Sequence, residues 1–196
     1  MHRGRSDDKG TVRPKLAYPG AAIAILLLLI VAPGASAALI APAAACPDQA
    51  GAASPAAQEQ AMRCMTDFAR ARAGLGALAD SPQLDLSAED KGADVLRCDS
   101  FSHTACGREF TYWMQQAGYL SETCWHVGEN LAWGVGAYGT VPSIFRAWMR
   151  SPEHRHNILG DYEALGLNRQ VGELEGQAGT VLWTAHFGSH CGESAS

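Results

Sequence analysis

Glu129 and His154 are the residues whose types best suit chemistry in this chain. They lie in one dense stretch, Gly128–Leu159. It runs from a Gly-Glu-Asn turn through an apolar strand-like piece and a Gly-rich loop to a short amphipathic helix. It ends in a polar knot, Ser151-Pro-Glu-His-Arg-His-Asn157. His103, between Cys98 and Cys106, is a third candidate. Two neutral imidazoles and one carboxylate make a donor set suited to zinc or another divalent metal with an open fourth position. The separations, 26 residues from His103 to Glu129 and 25 from Glu129 to His154, mean that only the fold can bring the three together. There is no HExxH spacing and no Gly-x-Ser-x-Gly elbow, so neither a zinc-hydrolase helix nor a serine-hydrolase turn is signalled. Each residue also has a plainer explanation. Glu129 can brace the backbone N–H groups of its turn, and His103 can be a hydrogen-bonded turn residue. A Ser151–His154–Glu129 triad can be drawn, but a small Ser-Pro turn accounts for Ser151 without it.

The elements that must position these groups follow from periodicity. Met62, Met65, Phe68 and Ala69 give a core stripe on a helix over 56–72, ended by Gly74 and Gly76. Ser81 is a good N-cap and Pro82 suits the first turn of a second helix. Leu84, Ala88, Val95 and Leu96 are its expected buried face, with Asp85, Glu89, Asp90 and Lys91 in solvent. Phe110, Trp113, Met114 and Ala117 predict a third helix over 108–117. Val127–Trp133 reads as a short strand, and Val141, Ile144, Phe145, Trp148 and Met149 as a fourth helix. Two late strands, Ala164–Val171 and Thr180–Phe187, flank a Gly- and Glu-rich turn. On the second, Thr184 and His186 share the face opposite Trp183 and Phe187, which predicts a solvent-facing or cleft-rimming His186. Helices first and strands late, without βαβ alternation, indicate an α+β fold with helices on an antiparallel sheet.

The N-terminus reads as an export signal. A basic, polar stretch (Arg3, Arg5, Lys9, Arg13, Lys15) precedes an apolar run, Ala21–Ala32. Pro33-Gly34 ends the run, and Ala35-Ser36-Ala37 supplies a small-residue cleavage pattern. About 12 apolar residues are short for a bilayer span, which needs roughly 20. An uncleaved anchor is the alternative, and Ala-Ala-Ala-Cys46 loosely resembles a lipid-attachment site. Removing residues 1–37 leaves 159 residues and shifts the formal charge from −5 to −8. The acidic balance argues against a nucleic-acid partner. Residues 38–55, rich in Ala and Pro, read as a linker or loosely held arm, and 56–192 as the domain. All six cysteines (Cys46, Cys64, Cys98, Cys106, Cys124, Cys191) follow the signal. An even count in an exported chain suggests disulfides, with 15 pairings open.

Six motifs then occur in order. They are Phe101-Ser-His103-Thr, Ala117-Gly-Tyr119, Gly128-Glu-Asn-Leu-Ala-Trp-Gly134, Ala147-Trp-Met-Arg-Ser-Pro-Glu-His-Arg-His-Asn-Ile-Leu159, Leu165-Gly-Leu167 and Trp183-Thr-Ala-His-Phe-Gly188. Over about Gln58–Gly188 the chain resembles the bacterial branch of the superfamily of cysteine-rich secretory proteins, antigen 5 and pathogenesis-related 1 proteins (the CAP or SCP domain). The resemblance implies a three-layer α-β-α sandwich and a cleft with two histidines and two acids, able to hold a divalent metal such as zinc. His103 matches the first histidine, Glu129 the first acid and His154 the second histidine. The place of the second acid is taken by Ser151, with Glu153 nearby but not aligned. Asn130, Ser151, Glu153, Trp133, Trp148 and His186 are the further cleft-lining candidates. The expectation is a secreted, non-enzymatic binding module with a metal-capable cleft and an adjoining apolar surface. That surface would take a lipid, a sterol-like ligand or an extracellular protein, with membrane contact only through the signal segment or an anchor at Cys46. A metal- or Ser-dependent hydrolase or peptidase using the same cleft, and a purely structural envelope module, are the alternatives.

Overall fold

The computed structural model describes residues 39–50, 52–120 and 124–191. The expected signal segment, 1–37, lies outside them. No helix among the described residues is long and apolar enough to cross a membrane.

The chain forms α1 (Pro55–Arg72), β1 (Ala79–Asp80), α2 (Pro82–Arg97), α3 (Tyr112–Gln116), β2 (Trp125–Val135), α4 (Val141–Arg150), α5 (Pro152–Ile158), β3 (Ala164–Leu174) and β4 (Gln177–His190). The starts of α1 and α2 are set by the same local chemistry. Ser54 Oγ accepts from the Ala57 N–H at 3.3 Å, and Ser81 Oγ accepts from Leu84 at 3.3 Å. In each case a proline follows, where its missing N–H costs nothing.

The sheet order is β1-β3-β4-β2. β4 pairs antiparallel with both β3 and β2, while the two-residue β1 adds a parallel edge. Helices cover both faces, giving three layers. On one face Met62, Met65 and Ala69 of α1 and Ile144, Phe145, Trp148 and Met149 of α4 pack on Leu165, Trp183, Ala185 and Phe187. On the other, Val95 of α2 meets Leu131, Leu174 and Leu182, and Leu84 meets Met114 and Tyr119. Each large apolar side chain so buried contributes about 1.5–3 kcal/mol, before entropy is counted. Gly166 sets the spacing of α2 on the sheet. A Cβ there would sit 2.1 Å from the backbone carbon of Leu84.

Several expectations need correction. The polar knot 151–157 is helical: extended Ser151 (ψ 124°) ends α4, and Pro152 opens α5. The third helix shrinks to Tyr112–Gln116 because Arg108 is extended, its guanidinium drawn to Asp94 at 2.8 Å. Residues 39–50 are not a loose arm: Ala41 and Cys46 are buried in the main core, and Cys46 bridges to Cys64 of α1. A thiol spent in that bridge is not available for acylation. The other bridges are Cys98–Cys106 and Cys124–Cys191, so the described chain has no free cysteine.

Candidate functional site

The site is built from α2, the register of β2 on β4, and the short loop closed by Cys98–Cys106. Glu129 of β2 stands directly opposite His186 of β4. Strand alternation turns both side chains to the α2 face. There α2 presents Ser87, Lys91 and Asp94, all buried, at i, i+4 and i+7. His186 is therefore fully buried rather than solvent-facing, because α2 covers the face it points from. Lys91, expected in solvent, is buried on the same stripe.

Both oxygens of Glu129 are taken. Its Oε2 lies 2.8 Å from His186 Nε2, and its Oε1 lies 2.6 Å from His103 Nδ1. The far side of the His186 ring, Nδ1, meets Ser87 Oγ at 2.6 Å. The result is a continuous chain, Ser87–His186–Glu129–His103, running from the middle of α2 to the surface. The Glu129 side chain is 1% exposed and that of His103 is 58% exposed. Lys91 Nζ donates to the His103 carbonyl and stands 3.9 Å from Glu129 Oε1. Burial works to raise the Glu129 pKa, but the bonds from His103 and His186, with the charges of His186 and Lys91, outweigh it. The carboxyl is held below the ordinary glutamate value. Burial lowers the Lys91 pKa, with Glu129 and Asp94 partly opposing it.

The loop that carries His103 is anchored at its base by the buried acid of the α2 stripe. Asp94 accepts from Arg108 Nη1 and Trp113 Nε1, each at 2.8 Å, and from Arg97. Ala105 plugs the apolar cluster under the loop. Phe101, exposed on the loop, meets the ring of half-buried Trp133 edge-on at 6.5 Å.

Asn130, one residue after Glu129, points to the opposite face and holds α5. Its Nδ2 donates to the His154 carbonyl at 3.0 Å. Asn157 Nδ2 donates to the Glu129 carbonyl at 3.1 Å and to Asn130 Oδ1 at 2.9 Å. A Cβ on Gly128 would come within 2.9 Å of Asn157 Oδ1, so this fit requires glycine. β2 is an edge strand, and its Glu129 and Asn130 tie the His103 loop and α5 to it separately. His154 is half-buried there. Burial, then the charge of His103, lower its pKa, with Glu153 opposing.

The structure thus joins His103, Glu129 and His186 directly, with His154 within electrostatic reach. Ser151 stands at the α4–α5 junction, and Glu153 is exposed on α5. Trp148 is core, its indole donating to the Leu131 carbonyl at 3.2 Å. Among the described residues, no three His, Cys, Asp or Glu side chains converge as metal donors. With Glu129 occupied twice, the imidazoles that remain as candidate donors are His103, through Nε2, and His154. A carboxylate behind an imidazole is the usual support of a metal-bound histidine. The donor chemistry therefore fits a two-histidine site completed by exchangeable ligands, not a preassembled three-ligand cage. Ser87 went unnoticed in the sequence and Lys91 was read as solvated, although polar residues at 87, 91 and 94 repeat at helical spacing beside the apolar face.

Residues 62–187 match the model of the cysteine-rich secretory protein (CAP) family. Solved structures with a similar fold include an outer surface protein of Borrelia burgdorferi, 18% identical, TM-score 0.54, covering 66% of this chain and 90% of that one. An extracellular protein containing an SCP domain from Bacillus anthracis is 20% identical with TM-score 0.52, covering 70% of this chain. A cysteine-rich secretory protein of Staphylococcus aureus is 18% identical with TM-score 0.51, covering 69%. The chain spans 44% and 39% of the length of the last two. No curated protein matches significantly. With the three-layer sandwich and a family match over most of the described residues, the chain belongs to the cysteine-rich secretory protein (CAP) family.

Proposed function

We propose that this protein is exported and acts as a non-enzymatic binding module through the cleft at His103 and His154. The observation that carries this is the twice-held carboxylate of Glu129. It is buried, cannot move to a substrate without leaving two histidines unpaired, and orients an exposed imidazole. That is the arrangement of a fixed docking point rather than of an acid or base that exchanges protons with a substrate. Three disulfides and extracellular relatives support export.

In this reading His103 and His154 hold a divalent ion such as zinc, with Glu129 fixing the His103 ring from behind. The bound ion would supply a positively charged contact for an anionic or carbonyl group of a ligand. Phe101 and Trp133 offer adjoining apolar surface for a lipid, a sterol-like molecule or an extracellular protein. A hydrolase reading through Ser151, His154 and Glu129 is disfavoured by one distance set. Glu129 is engaged by His103 and His186, so it does not orient His154.

The test is a calorimetric zinc titration of oxidised, metal-stripped protein, repeated with His103→Ala and His154→Ala. One-to-one binding lost in both variants is expected. No binding by the parent would remove the metal from the proposal, and binding that survives either variant would place it elsewhere. Cleavage of a peptide or ester library that depends on His154 would overturn the non-enzymatic reading.

A further inference from the structure

The three disulfides are not equivalent in surroundings. Cys46 is buried in the main core, and its bridge to Cys64 closes a separation of 18 residues. Cys124–Cys191 closes 67 residues and continues the β2–β4 ladder, with the Cys191 N–H donating to the Cys124 carbonyl at 3.2 Å. Cys98–Cys106 closes only 8 residues. A short loop gains the least stability from its cross-link, so opening it releases the least chain entropy in the unfolded state. Cys98 is exposed, as are Cys124 and Cys191, so what sets this bridge apart is its short loop and the surroundings of its second sulfur. The other sulfur, Cys106, has the Arg97 Nη2 at 3.6 Å. A guanidinium beside a departing thiolate lowers its pKa and speeds its release. Arg97 also pairs with Asp94, so it is held at this place.

The backbone points the same way. Cys106 has φ 57°, the left-handed region, which a residue with a Cβ rarely adopts unless its surroundings impose it. Asp99, by contrast, has φ 46° because it ends α2, its N–H and that of Ser100 returning to the Leu96 and Val95 carbonyls. The cross-link therefore holds Cys106 in a disfavoured conformation three residues after His103, which is seated on Glu129. Opening the bridge would let that backbone relax and would loosen the seat.

We infer that Cys98–Cys106 is a thiol–disulfide exchange site that controls the seating of His103 on Glu129, its reaction partner being an external dithiol. A thiolate of the dithiol attacks Cys98 Sγ, the Cys98–Cys106 bond breaks, and Cys106 leaves as a thiolate beside Arg97. The second thiol of the partner then loses its proton and attacks the mixed disulfide, releasing Cys98 as a thiolate. The protein gains two electrons and, after protonation, two thiols; the partner becomes a cyclic disulfide. This inference does not depend on what the cleft binds, and it is tested on metal-free protein.

The experiment treats the native, oxidised protein with graded dithiothreitol, traps thiols by alkylation, and assigns each cysteine by mass spectrometry. Cys98 and Cys106 should be trapped first, at least tenfold faster than the other four, and Arg97→Gln should slow their opening several-fold. In parallel, the imidazole NMR signals of His103 should shift in the selectively opened protein, and equally in Cys98→Ser/Cys106→Ser with the other bridges intact. Opening no faster than Cys124–Cys191, or a rate indifferent to Arg97→Gln, would overturn the exchange site. His103 signals unchanged on opening would overturn its control of the seat. If the double serine variant does not fold, the selectively reduced wild-type protein still decides the second point.

Discussion

Replacing Glu129 separates the buried network from a merely shape-filling role. Glu129→Ala removes the acceptor for two charge-assisted bonds, at 2.6 and 2.8 Å. Each such bond is worth about 1.5–3 kcal/mol. Loss of the carboxylate also removes its own desolvation cost, but it strands Lys91, whose charge stands 3.9 Å away in a buried site. Removing one partner of a buried ionic cluster costs about 3–5 kcal/mol, and that is the expected destabilisation. For a domain of this size it corresponds to a fall in Tm on the order of 10 °C. Glu129→Gln should cost far less, about 1–2 kcal/mol, by a proton count. The amide oxygen accepts from His103, and the amide nitrogen donates to His186 Nε2. His186 Nδ1–H then donates to Ser87 Oγ, which donates to the Leu84 carbonyl at 2.9 Å. Every hydrogen bond survives, and Lys91, which loses its carboxylate in both variants, keeps an amide oxygen in the place of Oε1 with Gln and nothing with Ala. The gap between wild type and Gln must also depend on pH. The folded Glu129 pKa is depressed, so its stabilisation is present above the unfolded value of about 4.3 and fades as pH falls through the folded one. Urea denaturation of oxidised protein at pH 7 and at pH 3 reads both effects. Equal losses for Ala and Gln at pH 7, or a Gln gap that stays constant down to pH 3, would refute the network argument.

Arg70 donates to the carbonyls of Gly76, Ile158, Gly160 and Tyr162, so Arg70→Lys, with fewer and differently placed donors, should cost about 2–4 kcal/mol in the same assay. Gly166→Ala would push a Cβ into the α2 backbone, and soluble yield should fall sharply, with any folded fraction losing more than about 3 kcal/mol. By NMR, His154 in metal-free protein should titrate below the ordinary histidine value of about 6.5. Because its folded pKa is depressed, it favours unfolding as pH drops through the unfolded value. His103→Ala should restore that pKa only in part, burial being the larger cause. Ser87→Ala, which leaves His186 Nδ1 without its partner, should cost about 1–3 kcal/mol while the far-UV spectrum stays unchanged.

The fold was legible where local chemistry and periodicity agree. Ser81-Pro82 and the apolar stripes of α1 and α4 produced their helices as read. Three disulfides among the six cysteines also followed, though not their pairing. The errors share one physical source: a sheet covered on both faces. Alternation along β4 placed His186 and Trp183 on opposite sides correctly, but polar was equated with solvent, and here the polar side meets α2. Lys91 was misread for the same reason, since a single helix cannot reveal that its polar positions face a buried glutamate. The family motifs named His103, Glu129 and His154 as candidates. They did not reveal that His186 and Lys91 occupy Glu129 from within, because those contacts exist only between elements distant in sequence. The polar run 151–157 hid a helix because its short length gives periodicity too little room.

Glu129 and Asn130 are consecutive residues that face different helix layers, one holding His103 and the other holding α5 with His154. The mouth of the cleft is thus gripped like a caliper, with the thin edge of one strand as its fixed beam. Its opening is set by how thickly each layer packs. A methylene added under α4, or one removed under the 98–106 loop, would change the gap without touching a single residue that lines it. Variation in the hidden core would therefore alter the spacing of His103 and His154 while the surface motifs stay the same.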